Sequence, residues 1–290
     1  MNAQAASSED IKSPFREFVS ELTPNAAISL FIIILCVFLI FFGPLISPYT
    51  EAEILTDESF QTSSESMLLG SDFLGRDILS RLLYGIRVTL SVALAISILS
   101  FFIGSTFGFM AATLGGWSDT VMSRIIDALI SFPSIIIALI VVSSLGSSFT
   151  VLIITVGLID ATRVFRVARA LGMNIIVQDY IEAARVRGEG LGWIIFHELL
   201  PNTRAPLAAE FGIRFTYAIL FISALSFLGL GVQPPHADLG LMVKENMQGL
   251  LFGSFAPMYP ALCIGAVTIS VNMFVDWFLK TTDATLPDDF

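Results

Sequence analysis

Six apolar runs, each bounded by polar or helix-breaking positions, divide the chain: residues 26–45, 88–114, 128–145, 150–168, 206–229 and 255–279. Each is near the roughly 20 residues that a helix needs to cross a hydrocarbon core. In lipid every backbone N–H and C=O must be satisfied within the segment, so runs of this length predict helices and not strands. The pattern predicts an all-α integral membrane protein with six transmembrane helices. The first run is too long for a cleavable leader and is followed by no small-residue cleavage site. Gly43-Pro44 and Pro48 are expected to end its helix.

Composition agrees with the pattern. Of 290 residues, 55% are hydrophobic and 14% charged, and the mean hydropathy is +0.81. Soluble domains carry about 25% charged residues. With the N-terminus inside, eleven of the 15 Lys and Arg residues fall on the cytoplasmic side, from Lys12 and Arg16 to Lys280. Four (Arg76, Arg81, Arg87 and Lys244) fall outside. The positive-inside bias therefore places both termini in the cytoplasm. This divides the chain into a tail (1–25), a first span with an outer loop (26–87), a five-helix core (88–280) with a charged loop at 170–205, and a C-terminal tail (281–290).

In the outer loop, Asp72 and Arg76, then Asp77 and Arg81, stand four apart with the acid first, the favourable order on a helix. With Leu74, Ile78, Leu79, Leu82 and Leu83 on the other face, residues 71–85 are expected to form an amphipathic helix in the interface. Along the second run Gly104, Gly108 and Ala112 form a small-residue face suited to close helix packing. Pro133 and Pro260 are expected to kink the third and sixth helices.

Several chemistries are excluded or disfavoured. A net charge of −10 speaks against a nucleic-acid partner. No Gly-x-x-x-x-Gly-Lys-Ser/Thr phosphate loop occurs, so any ATP is bound by another chain. His197-Glu198 begins like a zinc-protease helix, but Pro201 stands where the second His is needed, and no metal site is expected. Gly146-Ser147-Ser148 reads as a tight loop between spans and not as a serine nucleophile. Cys36 and Cys263 lie in apolar runs as packing residues.

The most informative segment is 179–201. Asp179 followed by Glu182 reads as a capping box opening a helix over 180–187. Gly188 suits the left-handed position that ends it. Ala183 and Ala184 permit close approach of a neighbour, a second short helix follows over 191–200, and Pro201 fixes the turn into the fifth run. Read from its residues alone, the segment is either a plain helical hairpin with Trp193 at the headgroups or a surface for a soluble partner. Asp160, Arg163 and Arg166, at the inner half of the fourth run, likewise admit two readings. They form a polar pathway lining or gate, or a snorkelling flank with Asp160 paired to Arg163.

The spacing Glu182-Ala183-Ala184, Gly188, Leu200-Pro201 resembles the "EAA" loop of membrane subunits of ATP-binding-cassette (ABC) importers. Leu69-Gly70-Ser71-Asp72-Phe73-Leu74-Gly75-Arg76-Asp77, Asp127 with Phe132-Pro133, and Phe227-Leu228-Gly229-Leu230-Gly231-Val232-Gln233-Pro234-Pro235 are similar to segments of the second permease subunit of the dipeptide, oligopeptide and nickel family. The resemblance covers nearly the whole chain. It implies a type I ABC importer permease fold with no catalytic residues of its own. It also implies a homologous second permease, two ATPase subunits carrying ATP and magnesium, and a periplasmic or surface solute-binding protein. On that resemblance Glu182, Ala183, Ala184, Gly188, Leu200 and Pro201 couple to the ATPase. Two positions depart from the pattern: Glu198, where an apolar residue is usual, and Ala237-Asp238-Leu239 before Gly240. The alternative from a different class is an ion-coupled transporter or channel using Asp160 and its neighbours. A membrane enzyme would need a catalytic constellation that the sequence does not display.

Overall fold

The structure is a computed structural model and describes residues 22–284. The polar N-terminal stretch with Lys12 and Arg16, and the last six residues, lie outside the described residues. Among the described residues ten helices follow in order, α1 (Pro24–Ile46), α2 (Ile78–Leu114), α3 (Gly116–Ile130), α4 (Ser134–Leu145), α5 (Phe149–Ile175), α6 (Asp179–Val186), α7, α8 (Arg204–Leu228), α9 (Leu239–Asn246) and α10 (Met258–Ala284), with a 3-10 helix at Met247–Phe252 after α9. α7 opens at Leu191–Trp193, continues as a π-helix over Ile194–Leu199 and closes at Leu200–Asn202. Two isolated β-bridges, and no strand, occur among the described residues.

Helices α1, α2, α8 and α10 are long and apolar enough to cross a membrane. The α3–α4 pair counts as a fifth span if it is taken as one broken helix, bent by 79°. α5 has the length, at 27 residues, but carries Asp160, Arg163 and Arg166 across its middle. The third run is therefore broken at Pro133, where the sequence placed a kink. Pro133 has no N–H to donate, and its ring pushes Phe132 out of helical conformation, so the helix stops and restarts in a new direction. Pro260, which could likewise have kinked the sixth helix, instead sits in the first turn of α10, where a missing N–H costs nothing. α10 also runs on to Ala284, past the expected boundary at 280.

The interfacial helix expected over 71–85 does not form. Gly70 and Gly75 take φ of +80° and +77°, and a Cβ on Gly75 would lie 1.8 Å from the Thr56 carbonyl oxygen. Residues 71–77 fold as a tight bridged turn (Ile54 with Arg76, Ser71 with Asp77). The helix starts only at Ile78, where Asp77 caps it by accepting from the Ser80 N–H and hydroxyl at 2.8 and 2.7 Å. From there α2 runs unbroken for 37 residues, about 55 Å at 1.5 Å per residue.

The small-residue face on α2 is used as expected. A Cβ on Gly104 would come within 2.5 Å of Val164 Cβ, and one on Gly108 within 2.7 Å of the Phe165 carbonyl oxygen. On the α5 side, Gly172 approaches Ala112 as closely. The two backbones therefore touch along most of their shared length, making this the most extensive helix pair in the fold. The main apolar core lies beside it, built on Leu90, Ala93 and Ile96 of α2, Leu152 and Val156 of α5, and Ile219, Ile222 and Leu225 of α8.

At the α9 end, the 71–77 turn is locked by a buried ion network. Asp72 Oδ2 meets Arg76 Nε at 2.7 Å and Arg81 Nη1 at 2.8 Å, and Glu245 Oε2 meets Arg81 Nη2 at 2.9 Å. The Asp72–Arg76 pairing expected from spacing is present, but it is held by a turn in which Asp72 Oδ1 accepts from the Leu74 and Arg76 N–H groups. Arg81 pairs with Asp72 and Glu245, not with Asp77 as the spacing suggested. Burial is the larger influence on Glu245 and pushes its carboxyl up, although Arg76 opposes it.

Candidate functional site: the α6–α7 hairpin

Helix α6 is short and two-faced. Ile181 and Ala184 are fully buried, while Asp179, Glu182, Ala183, Arg185 and Val186 face outward, Val186 at 84% exposure. The buried face joins a second apolar cluster with Phe109 of α2, Ala168 of α5, Ile194, Ile195 and Leu199 of α7, and Leu207 of α8. The expected cap is corrected by one residue. Gln178 is the N-cap and makes no side-chain cap bond, which leaves Asp179 and Glu182 as acids in the first turn, favourably placed against the helix dipole. The far end forms as expected. Gly188 has φ +84°, its N–H donates to the Arg185 carbonyl at 2.9 Å, and the Glu189 N–H donates to the Ala184 carbonyl at 3.2 Å. This is a complete Schellman ending.

The π-turns of α7 precede Pro201, which cannot donate to the ladder. The Leu200 N–H reaches back five residues to the Ile195 carbonyl. The Asn202 side chain donates to the Glu198 carbonyl at 2.6 Å, and the Thr203 hydroxyl to the Leu199 carbonyl at 2.8 Å. Leu200 and Pro201 are exposed. Trp193 is half-buried between the Arg187 guanidinium, 5.6 Å from its ring, and the His197 ring, stacked at 5.2 Å. Burial pushes the Tyr180 phenol up, and the charge of the Glu198 carboxylate adds to it. Arg185 Nη2 donates to the Thr113 carbonyl at the end of α2, at 3.3 Å.

The structure therefore puts Glu182, Ala183, Gly188, Leu200 and Pro201 on the surface, and Ala184 beneath it as an anchor. The second group of candidates is split. Asp160 is 5% exposed and lies 3.4 Å from both Arg163 and Arg214, the latter on α8. Arg214 Nε also approaches Glu210 Oε1 at 2.7 Å, and its guanidinium covers the Tyr217 ring at 4.9 Å. The Asp160–Arg163 pair that the sequence offered is present, and Arg214 joins it to Glu210 in one network. Arg166 stands apart and pairs with Asp127 of α3 at 2.7 Å. Asp238, one of the atypical residues after Pro235, is fully buried. It caps α9 through the Leu241 N–H at 3.0 Å and accepts from the Thr89 hydroxyl at 2.6 Å.

Long apolar helices, with a polar helical hairpin that is anchored on one face and open on the other, define a multi-pass membrane transport subunit. The chain matches the family of binding-protein-dependent transport system inner membrane components over residues 104–286, and it belongs to that family. That span runs from the packing face of α2 through the hairpin to α10. It is 33% identical over 273 residues to the dipeptide transport system permease protein DppC of Alkalihalophilus pseudofirmus, covering 93% of this chain and 90% of that one. It is 30% identical over 283 residues to DppC of Haemophilus influenzae, covering 95% and 96%. The glutathione transport system permease protein GsiD of Pectobacterium atrosepticum is 30% identical over 282 residues, covering 96% and 93%. The chain is a permease subunit of an ABC importer.

Proposed function

We propose that this subunit forms half of a membrane pathway for peptides or related small solutes, opposite a homologous second permease. A solute-binding protein delivers the solute, and two ATPase subunits hold the ATP and magnesium. The peptide class is supported by the DppC relatives, which are permease proteins of dipeptide transport systems. Six spans, with the α3–α4 pair and α5 completing the set and both termini cytoplasmic, are the topology that the distribution of Lys and Arg supports.

The observation that carries the reading is the division of α6 between a buried anchoring face (Ile181, Ala184) and an open face (Glu182, Ala183, Val186). A helix held on one side by the transmembrane core and free on the other can pass a partner's movement inward. In this reading Glu182, Ala183, Gly188, Leu200 and Pro201 meet the ATPase, and Ala184 transmits the contact. Asp160, Arg163 and Arg166 line or brace the inner half of the pathway. An ion-coupled mechanism at Asp160 is disfavoured because Arg163 and Arg214 flank the carboxylate and leave no net negative charge to hold a cation.

The test is recovery of the tagged chain from native membranes in mild detergent. Co-recovery of a second permease and of ATPases bearing phosphate loops is expected. A chain that is isolated alone and transports in liposomes without ATP would overturn the reading.

A further inference from the structure

Helix α3 is held unlike the other long helices. None of its 15 residues is buried. It hangs between two breaks: Gly115 and Gly116, both left-handed at φ +60° and +55° with open space around them, and the 79° bend before α4. Core packing therefore does not fix its position.

Ionic side chains from a single neighbour do. Asp119 takes a two-pronged grip from Arg169 of α5, with Nη2 on Oδ2 at 2.6 Å and Nε on Oδ1. Asp127 takes Arg166 at 2.7 Å, and beyond the bend Ser134 accepts from Arg163 Nη2 at 3.1 Å. Arg163, Arg166 and Arg169 are spaced three apart, so α5 holds the bent arm at three successive rungs. The forked, more enclosed Arg169 rung is the strong one. The exposed Arg166 pair contributes little alone.

Beneath the arm lies an apolar cavity of about 700 Å³. α3 walls it with Met122, Ile126 and Leu129, and α5 with Ile154, Leu158 and Ala161. The far end of α5 leads, through residues 176–178, straight into α6. Arg185 of α6 also bonds the Thr113 carbonyl, two residues before the glycine break.

We propose that α3 is a lever that travels with α5, and that Asp119 and Asp127 are the positioning residues that join them. Movement of α6 by the ATPase shifts α5. The arginine rungs carry the arm along with the tightly packed α2–α5 pair, and the hinge at Phe132-Pro133 absorbs the change in angle, altering the opening of the cavity on its α4 side. The inference rests on the importer reading of α6 and adds to it the path by which the signal leaves α5.

The assembled importer in liposomes provides the test, with solute-stimulated ATPase activity and uptake per ATP measured together. An unmodified complex without stimulation would remove the importer reading itself. Where stimulation is present, Asp119→Arg is expected to lower uptake per ATP about tenfold, an ordinary size for a coupling between sites, while basal hydrolysis persists. Adding Arg169→Asp is expected to restore most of the loss. Normal uptake per ATP in the single variant, or a double variant no better than the single, would overturn the lever. Spin labels give a second readout that does not depend on the charge variants. With Cys36→Ser and Cys263→Ser as background, labels at Trp117→Cys and Met173→Cys are expected to keep their distance between the nucleotide-free and ATP-bound states. Labels at Trp117→Cys and Leu262→Cys are expected to change theirs. A nucleotide-dependent change in the first pair would contradict the proposal.

Discussion

Asp72 and Arg81 form a buried ion pair, with Oδ2 and Nη1 2.8 Å apart and both side chains out of contact with solvent. They stand nine positions apart in the chain, and the intervening turn brings them together. Glu245 of α9 bonds the other prong of Arg81, so one guanidinium ties the first loop, the start of α2 and α9 into a single cap. Removing one member of such a cluster strands a buried charge, which costs about 3–5 kcal/mol. Arg81→Met is therefore expected to lower the detergent melting temperature of the complex sharply. Asp72→Asn combined with Arg81→Met is expected to lose less than the sum of the two single changes. Additive losses would show that the two side chains do not interact.

Gly188 is required by backbone conformation and not by crowding. Its φ of +84° ends α6, and nothing lies within 4 Å of where a Cβ would stand. Gly188→Val is expected to destabilise the ending by more than about 1 kcal/mol, as a β-branched residue is poorly suited to left-handed backbone. Gly188→Asn is expected to be tolerated. The two variants should therefore differ in uptake despite similar exposure. Equal uptake would mean that the ending of α6 does not matter to coupling.

Burial pushes the Asp238 carboxyl above its ordinary 3.8, although Thr89 and the Leu241 N–H oppose the shift. For a group whose folded pKa is raised, the stabilising contribution is complete below the unfolded value. It is lost as pH rises through the folded one. Asp238→Asn keeps a side-chain oxygen at the cap and removes the ionisation. Melting temperature plotted against pH is expected to fall less in the variant than in the parent as pH climbs from 3.8. Parallel curves would mean that Asp238 does not titrate in folding.

What was legible in the sequence was local. Gly188 could be placed because only a few residues adopt left-handed backbone, and the Gly104–Gly108–Ala112 face because small residues at this spacing serve close helix packing. Spacing misled at Asp72 and Arg76. An acid and a base four residues apart fit a helix and a capped turn equally well, and only the neighbouring Gly70 and Gly75 argue for the turn. The bend at Pro133 was half legible: a kink could be placed there, but nothing in the local residues gives its 79° angle. The Asp160–Arg214 and Asp119–Arg169 contacts span 54 and 50 positions, and nothing in one helix points to its partner in another. Glu245 and Asp119 were missed for that reason. The burial of Asp238 depends in the same way on Thr89, which lies 149 positions away.

In the proposed mechanism α6 is the point where the ATPase acts. Glu182 stands on the open face of that helix, with no ion pair among the described residues, so its reversal breaks no salt bridge and costs only its small favourable interaction with the helix dipole. The most direct measurement is solute-stimulated ATPase activity of the reconstituted importer carrying Glu182→Arg. Stimulation is expected to fall strongly, with membrane insertion and subunit recovery unchanged. Stimulation and uptake equal to the parent, in a complex of full composition, would contradict the claim that this face receives the signal.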